Sequence, residues 1–505
     1  MNRLQRSSIN MLSSAAGYVV PMLVNLIATP LLLRGLGEAA YGLQSLVAVI
    51  IGYLTVMDMG LDFPIIKLLA EDRAKNDVES ENRMLSTTLQ LYGVIGLIGM
   101  VVIVLAADWL ARSVFKVPAE LIPQATLVFR LAGIGFLGSV GMSWGRALAM
   151  GLQRFDITYG VVVVSSMAGV GLGLVMVYAG YGVVGYVLVR VVVSLASGPT
   201  YWLLAHRLLP TFRAKWGIDP ATLRRVRGYV GYGAINRAVS SLVSRLDQTL
   251  IGIWLGVAAA GVYSVPFMVV NSLGYMIAYM LGFIFPMSSE LQSLGQLDYM
   301  RDIFTRATRF VTALAGIIFV PLFVLGDIFL ELWVPGIAGQ AADVLRLLAL
   351  ASYLCSLCVT MTNNVLIGIG RMRQFTIFAT IRGIVLGALC FLMIRRFGLE
   401  GAARALLLTE IVDVIYLIVA LRSYLQISLR VLFRTAYLKP MALSAVLGVL
   451  AFLARPLATS WIGLGVVGAG LSLLYIVAGY WIGVFGETEK RALAMFWQLA
   501  IRRAP

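Results

Sequence analysis

The sequence predicts an all-α polytopic membrane protein. About fourteen transmembrane helices form two six-helix lobes, related by a pseudo-two-fold axis along the membrane normal, and two further helices follow at the C-terminus. Three observations predict this. First, 60% of the 505 residues are hydrophobic and 13% charged, with mean hydropathy +0.91, whereas soluble domains are roughly half apolar and about a quarter charged. Second, the chain breaks into about fourteen stretches that each approach the ~20 apolar residues a membrane-crossing helix needs. Third, a glycine-marked frame returns in the second half of the chain at a nearly constant offset.

The spans follow in order. The first, 8–33, comes after Arg3 and Arg6 but ends in Leu31-Leu32-Leu33 without a small-residue cleavage pattern, so it reads as a span and not a signal peptide. Spans 42–66, 85–107, 124–149, 157–179 and 183–206 complete an N-terminal lobe, 1–208. A basic linker, 209–228, joins it to a second lobe, 229–422, with spans 230–254, 261–286, 304–326, 343–368, 375–394 and 401–421. Spans 438–454 and 461–484 lie outside the repeat, in a segment 423–505 that ends in a cytoplasmic tail. With the N-terminus cytoplasmic, inside loops and termini collect about 26 Lys/Arg and outside loops about six, so both termini are expected inside. The net charge of +16 is mostly this topological bias, concentrated at Arg207, Arg213, Lys215, Arg224, Arg225 and Arg227. Nucleic acid is not needed to explain it, although such loops can touch anionic lipid headgroups. Cys355, Cys358 and Cys390 lie in spans and read as helix packing, not a redox pair.

The repeat is short but ordered. Leu36-Gly37, then Gly42, then Ser45 returns as Leu255-Gly256, Gly261 and Ser264, 219 positions later. Gly151 and Arg154 correspond to Gly368 and Arg371 at offset 217, and Gly182 and Gly185 to Gly398 and Gly401 at offset 216. Six helices per copy, an even number, make the lobes parallel in topology.

Charge inside the spans is the functional signal. Arg130, Arg190, Arg237, Arg245 and Arg382 sit deep in apolar segments, where an arginine costs about 2.5–3.5 kcal/mol on insertion scales unless it meets an anion or water. In the first span Ser7, Asn10, Ser14, Tyr18, Pro21, Asn25 and Thr29 fall within an arc of about 100°. Span seven repeats the stripe as Arg237, Ser241, Ser244, Arg245 and Gln248, flanked by Ser240 and Asp247. Tyr18, Asn25 and Thr29 map onto Arg237, Ser244 and Gln248, so one stripe is neutral and its partner cationic. Interhelical hydrogen bonding explains Ser, Thr and Asn in a bundle, but two added arginines favour a wet cavity. Span two places Thr55, Asp58 and Asp62 on one face, and span eight places Ser264, Asn271, Tyr275 and Tyr279 on another. Buried carboxylates can carry protons or cations, or simply pair with arginine to hold two helices. The tyrosines suit sugar stacking, packing or an interface belt. Arg146, Arg346 and Arg404 lie near span ends and can snorkel. Glu410 and Asp413 share a face that Arg404 does not, so their partner is open. His206 is the only histidine, so no metal site is expected. Gly133, Gly135 and Gly138 match a dinucleotide fingerprint only as letters, since they sit inside an apolar helix. Like Gly93, Gly96 and Gly99, they are expected to allow close helix contact.

Pro30-Leu-Leu-Leu-Arg34-Gly-Leu-Gly37, Tyr41-Gly42 and Asp58-Met-Gly60-Leu61 resemble the N-terminal pattern of the Wzx-type polysaccharide transport family, the lipid-linked oligosaccharide flippases. The likeness extends to Leu255-Gly256 and Gly261-Val-Tyr263, over the whole chain. It implies the two-lobe fold shared with lipid II flippases and multidrug exporters. It also implies transfer of an undecaprenyl-diphosphate-linked oligosaccharide across the bacterial inner membrane by alternating access, in O-antigen, capsule or exopolysaccharide assembly, with no reaction catalysed and no cofactor. The expected partners are that lipid-linked substrate, membrane lipids, a coupling proton or sodium ion and a polysaccharide polymerase. Arginine suits the diphosphate through paired charge-assisted hydrogen bonds. Arg237 and Arg245, with Arg130, Arg190 and Arg382, are therefore the expected headgroup ligands. Ser241, Ser244, Gln248, Tyr18, Asn25, Asn271 and Tyr275 line the path, and Asp58, Asp62 and Asp247 are candidates for ion coupling. A multidrug exporter would share the scaffold, but its organic cations would be repelled by arginines. A membrane-embedded glycosyltransferase or polymerase would act on the same lipid, but no large extracytoplasmic loop is visible.

Overall fold

The computed structural model describes residues 3–58, 60–210, 212–281 and 284–484, with side chains at all of these but 3–12, 15, 74, 205–206, 208, 227–236 and 286. It is helical throughout, and no strand occurs among the described residues. The helices are α1 (Arg3–Leu54), α2 (Asp62–Ala74), α3 (Val78–Trp109), α4 (Ile122–Gly151), α5 (Phe155–Met176), α6 (Gly182–Leu208), α7 (Pro220–Val243), α8 (Leu246–Trp254) and α9 (Val257–Met280). They continue as α10 (Ile284–Ser293), α11 (Leu297–Trp333), α12 (Ala338–Cys358), α13 (Thr360–Gly368), α14 (Met372–Ala420), α15 (Leu429–Leu432), α16 (Leu438–Leu453) and α17 (Trp461–Ile482). Packing divides the chain into two compact units, Met1–Ser264 and Val265–Pro505. The first therefore holds α7 and α8 as well as α1–α6.

Ten helical stretches among the described residues are long and apolar enough to cross a membrane, so the chain is an integral multi-pass membrane protein. Three of them, Ala16–Asp58, Phe155–Leu204 and Met372–Leu425, each overlap two predicted spans. Glycine divides them. Gly37 (φ 75°), Gly180 (φ 91°) with Gly182 (φ 56°), and Gly398 (φ 58°) leave helical geometry where the sequence ends a span, using backbone that a Cβ disfavours. After Gly398 the chain folds back on itself, because a Cβ on Gly401 would overlap the carbonyl of Met393. Eight residues along a straight helix would be about 12 Å away. The predicted seventh span is interrupted instead: α7 ends at Val243 and α8 begins at Leu246.

The sequence repeat is a repeat of structural roles. Gly37 and Gly256 both have positive φ, 75° and 89°. The Ser45 hydroxyl donates to the Gly42 carbonyl (2.9 Å), and its counterpart Ser264 donates to that of Gly261 (2.7 Å). The two copies also meet. A Cβ on Gly42 would strike the Val257 carbonyl, and one on Gly261 would come within 2.6 Å of the Glu38 carbonyl. Val257 is the repeat counterpart of Glu38, so the second half of α1 and the start of α9 cross about a local two-fold axis. Gly151 packs against Ile66 and Leu69 of α2, whereas Gly368 packs against Phe285 and Ser288 of α10, again the counterparts at offset 219.

In hydrocarbon no hydrophobic force drives helices together, so close backbone approach and interhelical hydrogen bonds decide the packing. Gly135, Gly138 and Gly141 of α4 seat against Val191, Ser194 with Leu195, and Gly198 of α6, in parallel register. Gly133 rests on Met100 of α3, and Gly96 and Gly99 of α3 receive Leu137 and Phe136 in return. The fingerprint glycines are thus helix contacts. Below them, Phe212 of the basic linker packs beside Trp144 and Trp202 in a core with Leu68, Met84 and Tyr92. The linker backbone is strapped along α3 by side chains one helical turn apart. Asn82 Oδ1 accepts from the Arg213 amide, Ser86 Oγ from that of Lys215, and Gln90 Oε1 from that of Gly217, each at 3.0 Å. Asp219 then caps α7, accepting from the Thr222 amide at 2.8 Å.

Candidate functional site

In the first unit, charged side chains gather where α1 gives way to α2. The helix ends in a turn over Thr55–Asp58, and Gly60 (φ 74°) redirects the chain. The Asp58 carboxylate accepts the Gly60 amide at 2.9 Å. Arg237 of α7 reaches this turn and bridges two acids. Its Nη1 lies 3.3 Å from Asp58 Oδ1 and its Nη2 3.0 Å from Asp62 Oδ1. The guanidinium side chain stays 38% exposed, while Asp58 is buried. One turn on, Ser241 donates to the Gly52 carbonyl of α1 (2.9 Å) and lies 3.4 Å from Thr55. Arg245 stands at the break before α8 as its N-cap, its side chain laid over Gly52 so closely that a Cβ there would overlap the guanidinium. In the first turn of α8, Asp247 is 1% exposed and accepts from the Tyr263 hydroxyl at 2.6 Å, with Gln248 buried beside it. Tyr53 and Thr249 share a further hydroxyl contact. Thus Asp58, Asp62, Arg237, Ser241 and Arg245 form one polar wall, with Asp247 and Gln248 behind it.

The other predicted residues are dispersed. In α1, the Asn25 amide donates to the Pro21 carbonyl (2.7 Å) and the Thr29 hydroxyl to the Asn25 carbonyl (2.8 Å), so both turn back on their own helix. Tyr18 is half-buried, as is Ser14, whereas the side chains of Ser7 and Asn10 lie outside those described. Ser244 is exposed at the helix break and donates to the Ser241 carbonyl. Asn271 and Tyr275 are exposed on α9 in the second unit. Arg130 is exposed on α4. Arg190 is exposed on α6, donates to the Tyr186 hydroxyl at 3.2 Å, and projects away from the exposed apolar arc of Leu188, Val192 and Leu203. Neither forms an ion pair among the described residues. Of the span-end arginines, Arg346 pairs with Asp327 and Asp343 and Arg404 with Glu400.

Arg382 belongs to a separate cluster in the second unit. Across the Gly398 hairpin its Nε lies 2.9 Å from Asp413 Oδ2 and its Nη2 3.2 Å from Glu410 Oε1. Both acids are 3% exposed. Carboxylate oxygens of Glu410 and Asp413 and the Sγ of Cys355 in α12 all lie within 4.8 Å of one another. The shared face of Glu410 and Asp413 signalled a common partner in the sequence, and the hairpin that delivers Arg382 to it is tertiary information. The Tyr263 to Asp247 bond was equally invisible, because it closes only when α8 and α9 pack.

Residues 31–336 match a family model described as polysaccharide biosynthesis protein. A Shigella flexneri protein named "Putative O-antigen transporter" is 20% identical over 411 residues, covering 79% of this chain and 94% of that one. Among solved structures, the lipid II flippase MurJ in an inward closed conformation superposes with TM-score 0.71 at 11% identity, over 93% of this chain and 98% of that chain. An inward-facing multidrug resistance MATE transporter of the MOP superfamily superposes with TM-score 0.68 at 15% identity, over 85% and 99%. At such identities these two similarities establish the fold.

Proposed function

The chain belongs to the polysaccharide biosynthesis protein family, and from that premise we propose that it is a flippase for a lipid-linked saccharide. It carries an undecaprenyl-diphosphate-linked oligosaccharide from the cytoplasmic to the periplasmic leaflet of the bacterial inner membrane, with both termini cytoplasmic. It moves this substrate without making or breaking a bond, as the relative named for O-antigen transport and the lipid II flippase fold also suggest.

One observation carries the reading: the seventh span is broken, and Arg245 stands at the N-terminus of α8 two turns beyond the half-exposed Arg237. A half-exposed guanidinium at membrane depth needs water. The N-terminus of a half-helix adds positive potential, the arrangement by which discontinuous membrane helices hold anionic groups. Two guanidinium forks with such a terminus suit a diphosphate better than an organic cation. Asp58 and Asp62 keep Arg237 extended and neutralised until the headgroup arrives, and Arg190 supplies further positive charge. Ser241, Ser244, Gln248, Tyr18, Asn25, Asn271 and Tyr275 offer hydroxyl, amide and ring surfaces to sugars, while Arg130 attracts the headgroup from its exposed place on α4. Alternating access moves the headgroup, Asp58, Asp62 or Asp247 exchanges a coupling proton or sodium ion, and a polysaccharide polymerase takes the product.

The test is leaflet exchange of a fluorescent polyprenyl-diphosphate saccharide in proteoliposomes. Arg237→Ala and Arg245→Ala should each slow exchange at least about tenfold, the loss of about 1.4 kcal/mol, with the protein still monodisperse. Exchange at wild-type rate in both would overturn the assignment, and sugar transfer without exchange would make the chain a transferase.

A further inference from the structure

The first unit contains the repeat counterpart of the Arg382 cluster, and it is neutral. At offsets 217 and 216, Arg382, Glu410 and Asp413 correspond to Ser165, Ser194 and Ser197, and Cys355 to Gly138. These counterparts close the same helix contacts with ordinary hydrogen bonds. Ser165 and Ser197 hydroxyls lie 3.1 Å apart, Ser194 donates to the Gly135 carbonyl at 3.2 Å, and Gly138 lies against Ser194. The architecture therefore does not require charge at this place. Burying three ionic groups where hydroxyls suffice costs stability, since a buried ion pair is at best near break-even against neutral packing.

The charges in the second unit do not balance. One arginine faces two carboxylates, and one acceptor is left over: Glu410 is 3% exposed, and its Oε2 has no hydrogen-bond partner among the described residues. Such an orphaned oxygen carries a desolvation cost that no hydrogen bond offsets. We propose that Glu410 and Asp413 together hold one exchangeable proton beside Arg382, making this hairpin a proton-binding site. The proton adds from water to Glu410 Oε2, converting a carboxylate to a carboxylic acid and leaving one negative charge opposite one positive; its release reverses this. The groups facing Glu410 are Arg382 and Asp413 from the hairpin and Cys355 and Cys358 from α12, with Tyr416 one turn beyond Asp413. A metal ion fits less well, because the Arg382 guanidinium, 3.2 Å from Glu410 and 2.9 Å from Asp413, already supplies a positive charge that repels a second cation.

Infrared titration of the full chain in lipid vesicles tests this. The wild type should show a protonated-carboxyl band that disappears as pH rises, and Glu410→Gln should lack it. Asp413→Asn should lack it too, although Glu410 remains, because Arg382 then faces a single carboxylate. A band that persists in both variants, a wild-type chain with no such band at any pH, or its abolition by sodium or cadmium at fixed pH would each overturn the proposal. The proton site rests on the reading of the chain as a membrane transporter only for its use. A wild-type protein that shows the band but moves no lipid-linked saccharide would refute the flippase and leave the site standing.

Discussion

Gly261→Ala is the sharpest mechanical perturbation available. The added Cβ would lie 2.6 Å from the Glu38 carbonyl oxygen, whereas carbon to carbonyl contacts settle at about 3.3–3.6 Å. The start of α9 must therefore move about 0.7 Å from α1, or the crossing must tilt. Overpacking of this kind costs about 1–3 kcal/mol, partly offset by about 1 kcal/mol because alanine favours helix over glycine. The net loss is up to about 2 kcal/mol, a factor of about 30. Gly42→Ala should cost more, since its Cβ overlaps the Val257 carbonyl outright. The double variant should cost less than the sum, because one displacement relieves both clashes. Gly274→Ala in the same helix is the control: nothing lies within 4 Å of its added Cβ, so stability should hold or rise. Thermal unfolding in detergent, followed by intrinsic fluorescence, should rank Gly274→Ala at or above wild type, then Gly261→Ala, then Gly42→Ala. Equal melting of Gly261→Ala and Gly274→Ala would refute the crossing as a close contact.

Arg237→Ala leaves the buried Asp58 without its cation and should destabilise the first unit by about 1–3 kcal/mol, less than for a fully buried pair because the guanidinium is half-exposed. Asp58→Asn and Asp62→Asn combined with Arg237→Gln should recover most of this in the same melt, without restoring exchange. Ser197→Ala removes the hydroxyl's bonds to Ser165 and to the Val193 carbonyl and should cost about 1–2 kcal/mol, with wild-type leaflet exchange as the functional check. Gln90→Ala removes bonds to Lys215 and Gly217, so protease cleavage between 209 and 219 should accelerate several-fold over wild type. The Thr222 hydroxyl and amide hold the Asp219 carboxyl below the usual aspartate range. The cap it makes on α7 is therefore fully present above the unfolded aspartate value and lost as pH falls through the lowered folded one. Protection of the amides at the start of α7, the unstructured-chain exchange rate divided by the observed rate at the same pH, should fall on acidification in the wild type and be low at every pH in Asp219→Ala.

The sequence by itself determined the membrane class, since composition and span length are one-dimensional properties of the bilayer as solvent. It also determined the repeat, because a positive φ or a backbone contact admits little but glycine. Gly37 with Gly256, Gly42 with Gly261, and Gly182 with Gly398 do the same work in each copy. It marked five arginines inside predicted apolar spans. Only the tertiary structure decided what each arginine meets. Arg237 and Arg382 each engage two carboxylates, Arg190 a tyrosine, and Arg245 the bare backbone at Gly52. Tyr186 lies one turn from Arg190 on α6, but Asp413 is 31 residues from Arg382 across the Gly398 hairpin and Asp58 is 179 from Arg237 on another helix. A charge in a span declares its cost locally, but the group that offsets that cost arrives only through helix packing, where direction and distance are set.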